Sequence, residues 1–385
     1  MNPETHFDVL IIGAGPAGST AAFILAGDGY QVGIIEKKRF PRFKLCGGLL
    51  TRKTVELLED IFHTTASDLK SQNLIHYYSH SYGLGDHSGK LFQGKLDFPF
   101  HFVNRETYDA FWLDKAVKAG VKVFFEQFAE NIDIAAGEIT TRTGKRFSGH
   151  YIIAADGVFS GVQSLLYRRG LLKFRRKHFI AAAQEIFIPR DRMIMLNDYP
   201  CIYSGFVPWG YAWSFPGPQY QILGMCSLKQ KASLSLKLCF SHFLKSLEIS
   251  PKDLSCPKGY ALPYGNYLSK AGYHNILLIG DAGGFADPIL GEGLYYAHKS
   301  AQLAAKAIKH SWRNPVETHK TYRLLLNESF ITELKYLLML RRFLFSLPVQ
   351  PRSKLLQFMF KNIPHKLEEA VQKKRSFKLL LPGIH

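Results

Sequence analysis

At 385 residues, with 46% hydrophobic and 21% charged residues, the chain is long and apolar enough for two or three packed units, which excludes disorder as its main state. Its 49 Lys and Arg against 31 Asp and Glu leave a formal charge of +18, which points to an anionic partner: a phosphorylated substrate, a nucleic acid or an anionic membrane surface. The five cysteines (Cys46, Cys201, Cys226, Cys239, Cys256) form no C-x-x-C pair, which argues against a zinc ribbon or disulfide scaffold and suits a reducing compartment. Met1 to Asp8 has no basic leader, and Gly13, Gly15 and Pro16 break the apolar run that follows. No targeting segment is expected, and the reading is cytoplasmic.

In chain order, Asp8 to Gly13 predicts a short buried strand, Pro16 to Gly27 a helix and Gln31 to Glu36 a second strand. This is a βαβ unit, which implies a parallel sheet covered by helices. Gly13-Ala-Gly15-Pro-Ala17-Gly18 fits the dinucleotide fingerprint G-x-G-x-x-G. The first glycine permits the turn, the second lets the backbone approach a pyrophosphate and the third allows helix and strand to close up. Glu36, followed by Lys37, ends the second strand 18 residues after Gly18. A carboxylate there binds a ribose hydroxyl pair and repels a 2′-phosphate, which favours FAD or NAD over NADP.

Further along, Tyr108 to Lys118 predicts a helix leading into a strand at Val121 to Phe125. Tyr151 to Ala155 and Asn275 to Ile279 predict strands that run into Asp156-Gly157 and Gly280-Asp281. Between Phe179 and Met225 the pattern becomes β-rich, aromatic and punctuated by Gly and Pro, which predicts a separate antiparallel sheet. The stretch Tyr199 to Leu228 carries no charge, but Pro200, Pro208, Pro216 and Pro218 exclude a membrane-spanning helix. Its rings, Tyr203, Phe206, Trp209, Tyr211, Trp213, Phe215 and Tyr220, are enough to wall a long apolar cavity. Alternation puts Tyr211, Trp213 and Phe215 on one strand face as candidate substrate contacts.

From Leu294 onward the pattern is helical, with breaks expected at Pro315, Pro348, Pro351 and Pro364. Residues 299–385 hold 17 Lys or Arg against 5 Asp or Glu, so +12 of the charge lies there. Tyr336 to Phe345 and Leu355 to Phe360 mix apolar and basic residues. They read either as helices resting on an anionic membrane or as a basic layer packed on the core. The class is therefore α/β, with a discontinuous Rossmann-type dinucleotide-binding domain (1–170 and 271–310), a β-rich substrate domain (171–270) and a basic helical region (311–385).

Tyr151-Ile-Ile-Ala-Ala-Asp156-Gly157 and Ile276-Leu-Leu-Ile-Gly280-Asp281-Ala-Gly283 resemble the two later fingerprints of the flavoprotein hydroxylase superfamily typified by para-hydroxybenzoate hydroxylase. That resemblance implies FAD, with the Asp281 carboxylate on the ribityl chain. It also implies that Gly291-Glu-Gly293-Leu294 opens a helix toward the flavin's pyrimidine edge or the pyrophosphate, and that Arg105 reaches the cofactor. Lys44-Leu-Cys46-Gly47-Gly48 resembles the K-x-C-G-G stretch of the geranylgeranyl reductases. Pro208-Trp-Gly-Tyr-Ala-Trp-Ser-Phe-Pro216 matches their P-x-x-Y-x-W-x-F-P.

This resemblance covers residues 5 to 310. It implies an FAD-dependent reductase of carbon–carbon double bonds in an isoprenoid or similar lipid chain, with Cys46 as the catalytic candidate nearest the reacting face. Three departures stand out: Gly224 is alone where the family commonly has G-x-G, Leu49 follows Gly48, and Ala282-Gly-Gly284 varies the usual run. No second nucleotide unit is seen, so the reductant is NADPH or NADH docking transiently, or a ferredoxin-like carrier. The alternatives are an FAD-dependent monooxygenase and a non-catalytic binding module; a halogenase is disfavoured by the lack of W-x-W-x-I-P. Neither a metal constellation nor a nucleic-acid motif is present, so the expected partner is a lipid or other apolar small molecule.

Overall fold

The computed structural model describes residues 5–173, 180–190, 197–228, 235–249, 256–265 and 267–362, together with 368, 369, 371, 372, 376 and 378. Two sheets organise the chain. The first runs Gly272–Tyr273, Ile276–Leu278, Arg146–Ala154, His6–Ile12, Val32–Glu36, Lys122–Phe125, with the hairpin Ala129–Asp133 and Glu138–Thr141 attached to Arg146–Ala154. Its central strands are parallel, Ile11 lying in register with Ile34 and Ile153. Helices cover it, so the strands are apolar on both faces and read as unbroken runs. Val9, Ile11, Ala21, Leu25, Ile153, Leu277 and Ala304 share one buried core.

The second sheet runs Lys258–Pro263, Ile180–Pro189, Tyr220–Leu228, Gly210–Pro216, Cys201–Ser204, Ile75–Asp86, Gly89–Val103, Leu49–Leu50. It is antiparallel except where Cys201–Ser204 runs parallel to Ile75–Asp86. Three of its strands come from residues 49–103, so a boundary at 170/171 does not separate the sheets as the sequence reading had it. The long hairpin escapes pattern reading because its register slips between Ile75 and Tyr77, between Ser79 and Ser81, and between Leu84 and Gly85. Each slip resets the two-residue period on which strand recognition depends.

One face of this sheet is sealed by helix Leu236–Ser246, whose Phe240 and Phe243 pack on Ile186, Ile188, Leu223 and Met225. Tyr203 and Phe206 also belong to that side, their rings 5.2 Å from Phe243. They therefore do not wall the cavity as the aromatic count suggested, and Tyr220 is exposed. Trp209 packs against Phe345 of the C-terminal helices. The opposite face, with Ala183, Glu185, Cys226, Tyr211, Trp213 and Phe215, turns to the interior.

Helices Leu294–His310, Thr318–Leu326, Thr332–Ser346 and Val349–Asn362 follow. Pro348 separates the last two, but Pro351 causes no break: it sits in the first turn of Val349–Asn362, where its missing N–H has no intrahelical partner to lose. Pro364 lies outside the described residues. Leu334, Leu337, Leu340 and Leu344 form a buried stripe on the core, while Met339, Phe343 and Phe358 remain exposed. Among the described residues, no helix is long and apolar enough to cross a membrane.

Candidate active site

A cavity of about 730 Å³ opens between the inner face of the second sheet, the carboxyl ends of the parallel strands and the C-terminal helices. Of the residues singled out in the sequence, Gly13, Gly15, Ala17, Glu36, Lys37, Cys46, Gly47, Arg105, Asp156, Gly157, Asp281, Gly291, Gly293, Leu294, Tyr211, Trp213 and Phe215 all line it. Gly18 and Gly280 do not; they stand behind the wall and are steric. A Cβ on Gly18 would strike the Gly13 carbonyl, and one on Gly280 would come within 3.0 Å of the Ala17 methyl.

The fingerprint glycines thus divide by function. Gly13 needs its positive φ of 101° and has no room beside the Ala155 carbonyl. Gly15, at the start of helix Pro16–Gly27, faces open space, the nearest atom to a Cβ there being Arg42 Nη2 at 3.5 Å. That opening is where a pyrophosphate would meet the helix amides. Glu36 closes the far side of the turn, its Oε2 accepting from the Ala14 amide at 2.8 Å and its Oε1 from the Lys38 amide at 2.9 Å. Asp156 accepts from the Gly161 amide at 2.7 Å, while its Oδ1 is buried without a partner. Burial raises its pKa against the Ser160 side chain and the backbone amides that oppose it.

Arg105 is buried at the start of helix Arg105–Lys118, with Nε and Nη2 on the two Asp109 oxygens at 2.8 and 3.0 Å. Burial works against its charge, but Asp109 prevails and holds its pKa above the ordinary arginine value. Arg42 joins the same carboxylate at 3.3 Å. Two arginines thus share one buried Asp109, leaving net positive charge where phosphates would lie. Sequence reading passed over Arg42, which belongs to no motif.

The loop Asp287–Gly293, ahead of helix Leu294–His310, is fixed from several sides. Asp287 Oδ1 accepts from the Ile289 and Leu290 amides at 2.6 and 2.8 Å. The Lys53 ammonium meets Glu292 at 2.6 Å, and the Thr51 hydroxyl donates to the same carboxylate at 2.6 Å. Tyr264 donates to the Ile289 carbonyl at 2.7 Å, and Tyr211 donates to the Leu290 carbonyl. Tyr211 is therefore as much a strut for this loop as a cavity wall. Asp281 lines the cavity close by, its Oδ1 3.7 Å from the place a Gly293 Cβ would take.

Across the cavity, Cys46 lies on the loop before Leu49–Leu50, with the Gly48 amide 3.4 Å from its sulfur. Gly47 has no room for a side chain because the Phe215 ring covers it. Lys44 stretches over the Tyr260 ring, 3.2 Å from its centroid, and burial pushes its pKa down to about 8 against the pull of Asp281. Glu185, another residue without a sequence signal, faces this group from strand Ile180–Pro189. Burial pushes its pKa up to about 8 against the pull of Lys44 and Arg105.

These residues fit FAD: a helix amino terminus with an open glycine, a carboxylate at the end of the second strand, two arginines, and Asp156 and Asp281 facing one cavity. Residues 6–171 match the family model described as an FAD binding domain. The chain is 28% identical over 324 residues to the digeranylgeranylglycerophospholipid reductase of Methanocella arvoryzae, covering 80% of this chain and 79% of that one. It is 29% identical over 347 residues to a tryptophan 2-halogenase of Chondromyces crocatus, covering 80% and 62%. A geranylgeranyl bacteriochlorophyll reductase-like protein of Thermoplasma acidophilum shares the fold, with a TM-score of 0.78 at 22% identity over 94% of this chain and 98% of that one. The chain thus carries an FAD binding domain and has geranylgeranyl reductases among its relatives, and it is an FAD-dependent oxidoreductase.

Proposed function

We propose that this oxidoreductase saturates carbon–carbon double bonds in an isoprenoid or similar lipid chain. The observation that carries the reading is that the cavity lined by the FAD-fitting residues is lined also by Trp213, Phe215, Leu337, Leu340 and Leu344, which gives it a large apolar wall. A chain lying there is held dry and in line with the cofactor, which is the protein's share of such a reaction. Bound and reduced, FAD supplies the hydride. The amides opening helix Leu294–His310 stabilise negative charge that develops beside them. Cys46 faces the reacting end, and Tyr211, Trp213 and Phe215 shape the alkene's seat. Electrons come from NADPH, NADH or a ferredoxin-like carrier. The exposed Met339, Phe343 and Phe358, beside the exposed Lys335, Arg342 and Lys354, support peripheral contact with an anionic membrane from which a lipid enters.

The test is anaerobic. The holoprotein is photoreduced and mixed with geranylgeranyl diphosphate or a geranylgeranyl glycerolipid while flavin absorbance is followed. Return of the oxidised spectrum without oxygen supports alkene reduction. A flavin that stays reduced with every such lipid until oxygen is admitted argues for oxygen-dependent chemistry instead.

A further inference from the structure

An alkene needs a proton as well as a hydride to become saturated, and among the carboxyls that line the cavity Glu185 is the one on the sheet face that carries Trp213 and Phe215. Glu185 stands mid-strand, its Cα in register with Gly224 on one side and Lys258 on the other. Its side chain is turned into the cavity, is 2% exposed, and has an Oε2 with no hydrogen-bond partner among the described residues. On the far side of Gly224, in the same row, Trp213 Nε1 is also buried and unpartnered. Buried polar atoms left unpaired are costly, and those that persist at a cavity wall mark the place where an occupant or a reaction uses them.

We propose that Glu185 is the general acid of the reduction, protonating the alkene carbon beside the one that receives the hydride; this rests on the alkene-reductase reading. The π bond breaks and two C–H bonds form. One forms with the hydride, whose electron pair leaves reduced FAD oxidised. The other forms from the π pair and the Glu185 carboxyl proton, which leaves Glu185 a carboxylate. Solvent returns the proton to Glu185 between turnovers, with Lys44 the first of the cations whose charge acts on the carboxyl.

A carboxyl must be protonated at neutral pH to serve, and its surroundings keep it so. Lys44, Arg105 and the Cys46 amide favour the carboxylate, but burial outweighs them and pushes the pKa up to about 8. Lys258, the register neighbour, is drawn over the Phe43 ring, 3.9 Å from its centroid. Cys226 and Tyr260, on the flanking strands, are both pushed by burial up to about 12 and stay uncharged. Burial thus acts on both groups toward neutrality, raising the acid and lowering the lysine.

The first readout is infrared absorption of the FAD-free protein. A protonated-carboxyl C=O band at neutral pH should vanish in Glu185→Gln. The second uses photoreduced holoenzyme and geranylgeranyl diphosphate without oxygen. Glu185→Gln should retain FAD and the wild-type melting temperature, yet reoxidise about 100-fold or more slowly and lose the alkaline limb of the rate profile. Glu185→Asp, which keeps the acid one methylene further back, should recover part of the rate and covers the case of a Gln variant that folds poorly. The proposal is overturned if the band survives in Glu185→Gln, or if that variant reoxidises within threefold of wild type. Wild-type protein that shows the Glu185 band but never reoxidises with any geranylgeranyl lipid overturns the alkene reading itself, and the proposal with it.

Discussion

The Trp213 indole occupies the space above Gly224, its Nε1 2.6 Å from where a Cβ on that glycine would lie. The two residues are in register on neighbouring strands, so Gly224 is the recess that lets the ring lie along the cavity wall. A lone glycine here, without the G-x-G of the resembling family, therefore still meets a steric demand. Gly224→Ala should displace Trp213 or strain the strand pair, costing about 1–3 kcal/mol. Urea denaturation measures the loss, and tryptophan fluorescence should shift in the folded variant. Unchanged stability and fluorescence would show that the indole has room to spare.

Gly15 and Gly18 should separate cofactor binding from folding. Gly15→Ala meets nothing closer than Arg42 Nη2 at 3.5 Å, so the FAD-free protein should melt within a degree or two of wild type. Its FAD affinity should fall about tenfold or more, because the methyl stands where the pyrophosphate approaches the helix amides. Gly18→Ala drives a methyl into the Gly13 carbonyl and should fail to fold or melt far lower even without FAD. Equal FAD affinity in Gly15→Ala and wild type, by fluorescence titration, would move the pyrophosphate elsewhere.

Acid should destabilise the protein through His298. Its imidazole is fully buried, with Nδ1 2.7 Å from the Thr20 hydroxyl and Nε2 2.8 Å from the Tyr108 hydroxyl. The Thr20 hydroxyl donates to the Pro16 carbonyl, so the neutral ring donates from Nδ1 and accepts at Nε2. Burial pushes its pKa down to about 3, and that of His101 down to about 4. Between these values and the ordinary 6.5 the unfolded chain binds more protons than the folded one. The contribution of the two histidines is therefore full above pH 6.5 and is lost as pH drops, by up to about 1.4 kcal/mol per pH unit for each. This outweighs the opposite slope of the Glu185 carboxyl, whose raised pKa favours the folded state as pH falls below about 8. Denaturation at pH 7 and pH 5 should show the drop, and His298→Gln should flatten it. An identical slope in the variant would remove His298 as the cause.

The Lys53–Glu292 pair, 7% and 11% exposed, holds the loop that precedes helix Leu294–His310. Lys53→Met should leave Glu292 buried without its cation and cost about 3–5 kcal/mol. Lys53→Met with Glu292→Leu should recover most of that, since a dry apolar pair carries no desolvation penalty. If the double variant is no more stable than the single one, the Thr51 and Thr54 hydroxyls, which donate to Glu292 at 2.6 and 3.1 Å and lose that acceptor, are controlling the loop.

The features legible in the sequence are those carried by local spacing. Gly13 to Gly18, Glu36, Asp156 and Asp281 are set by the turn from one strand into the next element, so short motifs locate them and the parallel sheet together. Tyr211, Trp213 and Phe215 are legible for the same reason, since a single strand keeps its own alternation. Glu185 and Lys53 are not, because their chemistry arises from register and loop packing between segments far apart in the chain. Tyr203 and Phe206 mislead because the link from Cys201–Ser204 to Gly210–Pro216 resets which face a ring takes. The C-terminal leucine stripe was ambiguous because a helix face suited to a membrane and one suited to a core have the same period.

The most direct test of alkene reduction is the mass of the lipid after one anaerobic turnover of reduced holoenzyme, repeated with ¹⁸O₂ admitted. We expect a product that has gained two hydrogens for each bond saturated and carries no ¹⁸O under either condition. A lipid unchanged without oxygen and labelled with ¹⁸O once it is admitted would contradict the reading and make this cavity the site of an oxygenase.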